Sequence, residues 1–186
     1  MGSLLKGISG IPWGKLRDAR LRPAGDIPPL LSRIAYGGED TARLAVDELG
    51  DIICALGFVV GEATASTVPF LLELAGAPYV PCKAELLGLL ESICRTDNWH
   101  SSAAAAGGPN RTSFREQPAW EAAAREAVHS GRPAIEGLAS SMRPEESEPA
   151  RKLLLTMDEA PPFHAAVVVT AAASGARRAG TRKGPG

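Results

Sequence analysis

The sequence predicts an all-α fold, a short right-handed α-solenoid of stacked helix pairs. Three observations predict it. The stretch IPPLLSRIA (27–35) has a counterpart, VPFLLELAG (68–76), 41 positions later. At that shift residues 26–57 lie over 67–98 without a gap. Aromatic residues make up only 5% of a chain that is 45% hydrophobic. A core of Leu, Ile, Val and Ala suits helix-on-helix packing better than aromatic-rich strands.

The elements follow in order. Residues 1–25 are rich in Gly, Pro and Arg and read as an irregular N-terminal arm, with a short helical turn expected over 11–19 and Trp13 as a plug over one end of the core. Residues 26–158 read as the repeat domain. Asp26 falls on Thr67 as a pair of helix N-caps. Pro28 falls on Pro69, each expected in a first turn, where a missing N–H costs little. Leu30 and Leu31 fall on Leu71 and Leu72; Val46, Leu49, Ile52 and Ile53 fall on Leu87, Leu90, Ile93 and Cys94. Within a copy, Leu30, Leu31 and Ile34 share one helical face. Val46, Leu49 and Ile53 share another, with Leu56 extending the stripe. Glycines and prolines in YGGED (36–40) and GAPYVP (76–81) mark the turns. Each copy is thus helix, tight turn, helix, with no strand expected in either. A single pair cannot bury its own apolar stripe, so neighbouring copies are expected to stack.

Residues 98–116 break the pattern and read as an insertion loop. A helix follows, opened by Pro118, with Trp120, Ala124 and Ala127 on one face, Glu121 and Arg125 as an i, i+4 pair, and Ser130-Gly131 as its end. A degenerate third pair spans 133–142 and 144–157, the second helix carrying Ala150, Leu153, Leu154 and Met157. Residues 159–186 lack periodicity and read as a disordered tail whose removal is expected to leave thermal stability unchanged.

The net charge is −1, but residues 160–186 carry Arg177, Arg178, Arg182 and Lys183 and no acid, leaving −5 on residues 1–159. The absence of a basic excess makes nucleic acid an unlikely partner. Cys54, Cys82 and Cys94 have no framework spacing and read as small buried hydrophobes in a reducing compartment. No signal segment or membrane span is visible, so the chain reads as cytoplasmic with no membrane partner. No phosphate loop, dinucleotide fingerprint or metalloprotease motif occurs, and no cofactor or metal is expected. The densest reactive cluster is CRTDNWH (94–100). Its Cys94 occupies the apolar slot that Ile53 fills in the other copy, and a buried thiol is inert. His129 and His164 stand alone.

A helix–turn–helix unit of about 40 residues with an early proline resembles the HEAT and armadillo-like repeats. The likeness rests on 26–57 and 67–98, with EDTARLAVDEL (39–49) the nearest stretch, and more loosely on 132–157. The whole chain is also similar to small actinobacterial proteins described only as containing HEAT repeats. The resemblance implies a non-enzymatic scaffold or adaptor in which the second helices line a concave binding face. Glu48, Asp51, Glu91 and Arg95 then point outward on that face, with Trp99 beyond it as an anchor. The expected partner is another protein, basic if those carboxylates do the recognition. Two other readings stand beside it. A DNA-binding or HEAT-like DNA glycosylase-type protein would use Trp99, Trp120 and Asp97 in a basic groove. An immunity or anti-toxin partner protein would use the same surfaces as an adaptor.

Overall fold

The structure is a computed structural model that describes residues 4–96 and 117–160. The expected insertion loop, Trp99, Asp97, and all but the start of the expected tail lie outside the described residues. Among the described residues there are seven α-helices: α1 (Ile27–Tyr36), α2 (Glu39–Ile53), α3 (Glu62–Gly76), α4 (Lys83–Cys94), α5 (Gln117–Ser130), α6 (Arg132–Ala139) and α7 (Pro144–Glu159). The fold is all-α apart from a two-stranded ribbon of β1 (Cys54–Ala55) and β2 (Val59–Val60). Among the described residues no helix is long and apolar enough to cross a membrane.

α1 starts on Ile27 with prolines in its first turn and buries Ile27, Leu30, Leu31 and Ile34. Asp26 precedes it without a side-chain capping bond. α2 buries Ala42, Ala45, Val46, Leu49 and Ile53 and places Glu39 and Asp40 where the helix dipole favours acids. It stops sooner than its apolar stripe. Leu56 does not extend the helix; it stands 81% exposed at φ 56, followed by Gly57 at φ 77. Positive φ at two successive residues reverses the chain into the ribbon. The first copy is therefore not helical throughout.

The second copy starts differently from the expectation. α3 opens at Glu62, so Thr67 is no cap; its hydroxyl donates to the Ala63 carbonyl at 2.8 Å. Pro69 stands inside the helix, not in its first turn. The cause is Thr64, whose hydroxyl accepts from the Gly61 N–H at 3.0 Å and donates to the Ile53 carbonyl at 2.6 Å. That pair of bonds starts the helix more than a turn earlier than the proline marks. The ends of the second helices do keep the 41-residue period: α2 ends on Ile53 and α4 on Cys94.

α1 packs on α2 and α3 on α4, while α1 also touches α3 and α2 touches α4. α5 lies on α3 and α4, and α7 lies against α4 and α6. Side chains give the directions. Arg43 Nε reaches Glu85 at 2.9 Å, and Gly50 faces Leu89, so α2 and α4 run parallel. Lys83 meets Glu146, Glu91 meets Lys152 and Arg95 meets Thr156, so α4 and α7 are parallel too.

The N-terminal arm is fastened to this body. Trp13 is buried in a short 3-10 turn, donates its indole N–H to the Ile8 carbonyl at 2.8 Å and packs its ring 6.2 Å from that of Phe70. The buried Asp18 carboxylate accepts the N–H groups of Arg20 and Arg22 and the Arg22 Nε. Ala19 N–H bonds the Ile52 carbonyl and Ala63 N–H the Arg17 carbonyl. Gly61 permits this docking, since a Cβ there would stand 2.3 Å from the Asp18 carbonyl carbon.

Candidate binding surface

The exposed side of α2 collects the candidate acids. Asp40, Leu44, Asp47, Glu48 and Asp51 lie within about 100° of one another around a 3.6-residue helix, and all five are exposed. Leu44 is 59% exposed, so an apolar side chain stands among the carboxylates. Glu48 and Asp51 share a cleft of about 410 Å³ with Arg20, Arg22, Asp26 and Arg33.

Those arginines change the electrostatics. Arg33 grips Glu48 through both terminal nitrogens, at 2.6 and 3.4 Å. Arg20 pairs with Asp51 at 3.1 Å. Arg43 joins Glu39 and Glu85, each at 2.9 Å. The cleft is therefore internally balanced. Asp40 and Asp47 have no ion pair among the described residues, and they flank Leu44. Sequence reasoning missed the arginines that pair with Glu48 and Asp51 because they come from α1 and from the arm. The one local signal was the basic run KLRDARLR, centred on an Asp that folds back on its own neighbours.

Glu91 is not outward-facing. It is 7% exposed beneath α7, where Arg95 reaches it at 2.6 Å, Lys152 at 3.0 Å and the Thr156 hydroxyl at 3.4 Å. Arg95 is exposed, but it also donates to Thr156 at 3.4 Å. The structure thus splits the expected site. Glu48 and Asp51 stay together on α2, whereas Glu91 and Arg95 form the seam between α4 and α7.

A second cleft, of about 370 Å³, opens at the starts of α2, α4 and α7 and is lined by Arg43, Tyr79, Lys83, Glu85, Arg143 and Glu146. Lys83 and Glu146 are buried there as an ion pair at 2.7 Å. Ser141 donates to the other carboxylate oxygen at 2.8 Å, and Arg143 adds a contact at 3.3 Å. The Lys83 and Ser141 bonds hold the Glu146 carboxyl down at about 2. Lys83, Glu146, Ser141 and Arg143 each have a partner within that cluster.

All three cysteines are buried. Burial pushes the Cys54 thiol up to about 12 and raises that of Cys82 as well, which removes the thiolate needed of a nucleophile. Cys94 is wholly buried on α4, and His100 lies outside the described residues. Among the described residues no group of three or more His, Cys, Asp or Glu side chains is placed to hold a metal ion. Trp120 is partly buried against the core. His129 bonds the Ala160 carbonyl through Nε2 at 2.9 Å. Comparison with protein-family models, with curated proteins and with solved structures finds no match to the chain.

Proposed function

We propose that the chain is a non-enzymatic protein-binding adaptor or scaffold of the reducing cytoplasm, built as a short right-handed α-solenoid of the HEAT-like kind. One observation carries the reading: α2, α4 and α7 run parallel and in contact, beside a row in which α1 touches α3 and α3 touches α5. Successive layers of that form leave one side of the second-helix row open to a partner. The contact surface on this reading is the α2 stripe of Asp40, Leu44, Asp47, Glu48 and Asp51. Glu48 and Asp51 are already paired, so Leu44 and its two unpaired flanking aspartates provide most of the recognition. They fit a basic protein presenting an apolar side chain.

The test is affinity capture from the native host with the tagged full chain and with a Leu44→Arg, Asp47→Lys double variant. Recovery of one basic protein by the wild type, lost with the variant, supports the reading. Recovery of nucleic acid instead, or a partner that both forms retain equally, overturns it. Partial burial of Trp120 weighs against the nucleic-acid alternative, which needs that ring open to a base.

A further inference from the structure

Among the described residues no element covers the outer face of α2, and its charge is not balanced. α2 carries five acids, Glu39, Asp40, Asp47, Glu48 and Asp51, against one cation, Arg43. Arg33 and Arg20 answer two of those acids from outside the helix. A formal excess of two negative charges remains, around a Leu44 that is 59% exposed. The other acidic helices differ. α7 has a formal excess of three, and three outside cations, Lys83, Arg143 and Arg132, are paired with its acids. Glu62 and Glu73 of α3 each accept an N–H of the arm.

The opposite charge is carried by the last stretch of the chain. Residues 161–186 include Arg177, Arg178, Arg182 and Lys183 and no acid. They lie outside the described residues, but the point from which they start is Ala160, directly after α7. Because α2, α4 and α7 run parallel, α7 ends at the same rim as α2. Packed helix axes lie about 8–10 Å apart, which puts α2 about 20 Å from α7 across α4. The sixteen residues 161–176 reach up to about 50 Å when extended. The spacing of charge matches too. The four basic residues form two pairs five positions apart, which is about 16 Å along an extended chain. Asp40 and Asp51 are also about 16 Å apart along the helix. Ala179, Gly180 and Thr181 stand between the basic pairs, small enough for the backbone to pass close over Leu44.

We propose that residues 177–183 dock along the outer face of α2 in the same chain, covering Leu44 and competing with a basic partner for that face. The proposal rests on the reading of the α2 stripe as a recognition surface. Coming from the α7 rim, the segment meets the Asp51 end first. It therefore runs antiparallel to α2, with Arg177 and Arg178 near Asp51 and Asp47, and Arg182 and Lys183 near Asp40. Tethering makes the contact intramolecular, so individually weak surface pairs suffice. A face occupied about nine-tenths of the time binds a partner about tenfold more weakly. The contact lies on the surface, so its loss leaves the melting temperature nearly unchanged, in keeping with the expectation for the tail.

Carbodiimide coupling of the purified full chain, followed by peptide mass mapping, tests the docking without a partner. The reagent joins a lysine to a carboxylate in direct contact with it, and Lys183 is the one lysine of 161–186. Its links are expected at Asp40 and the neighbouring α2 acids, within single chains, with a yield that dilution leaves unchanged. An Arg177→Glu, Arg178→Glu double variant is expected to cut that yield at least about fivefold, as is sodium chloride at about 1 M. Links spread evenly over the acids of α2, α5 and α7, links between copies, or a yield that the double variant leaves unchanged would overturn the docking. The same variant is expected to capture about tenfold more of a basic partner than the wild type. Links formed as described with no partner captured would remove the adaptor reading alone. A partner captured equally by both forms, without the links, would remove the docking alone.

Discussion

Leu56 is held in the left-handed region with 81% of its surface in water, which costs a bulky residue about 1–2 kcal/mol and buries nothing in return. Asn tolerates that conformation and suits the position before a glycine in a tight ribbon turn. Leu56→Asn is therefore expected to raise stability by about 1 kcal/mol, read as a higher urea midpoint. Gly61 makes the opposite case. A methyl group there meets the Asp18 and Ala19 backbone, which cannot rotate away as a side chain could. Gly61→Ala is expected to cost about 1–3 kcal/mol, seen as a lower melting temperature. Neither residue was legible. Apolar periodicity counts every Leu as core, and it carries no information about φ. The close approach at Gly61 involves residues more than forty positions away.

The helices show why one candidate failed. At the 41-residue shift Glu91 corresponds to Gly50, not to Glu48. Gly50 faces α4, the next helix in its row, and Glu91 likewise faces α7. The repeat that located the helices also held the information that position 91 is an inter-helix contact; the charge of the residue concealed it. The apolar stripes of α2 and α4 were legible, because burial of Val46, Leu49, Leu87 and Leu90 follows from spacing alone. The start of α3 was not, because the Thr64 hydroxyl bonds outweighed the usual placement of proline. The link between α4 and α7 has a pH signature. The Glu146 carboxyl is held at about 2 against an ordinary value of 4.5. It therefore contributes stability that is fully present above the ordinary value and lost as pH falls towards the lower one. The stability difference between wild type and Glu146→Gln is expected to be constant from neutral pH down to about 4.5 and to vanish near 2. Urea midpoints taken across that range check it.

For the molecule as a whole, the all-α class was legible from the period and the low aromatic content. The position of α5 on α3, and of α7 on α4, was not, since the pairing 133–142 with 144–157 said nothing of what the pair rests upon. The balance of surface charge was equally hidden, because net charge does not reveal that Arg20, Arg33 and Arg43 neutralise specific acids. These exposed pairs are worth about 0–1 kcal/mol each and are screened by salt. Raising sodium chloride to about 1 M, where screening is nearly complete, is expected to shift the global urea midpoint only slightly, because the Leu and Ile interior carries the stability. A large loss would show that surface ion pairs hold the layers together.

The parallel course of α2, α4 and α7 has an electrical consequence. Within that row the peptide dipoles point the same way, and the offsetting helix ends at the same rim come only from the other row, where α1, α3 and α6 each end beside the start of a row member. First-turn acids sit at each positive end: Glu39 and Asp40, Glu85, and Glu145 and Glu146. Four of those acids are exposed or half-exposed and answer the helix ends from the surface, whereas Glu146 answers its own helix end from inside, where it also neutralises Lys83.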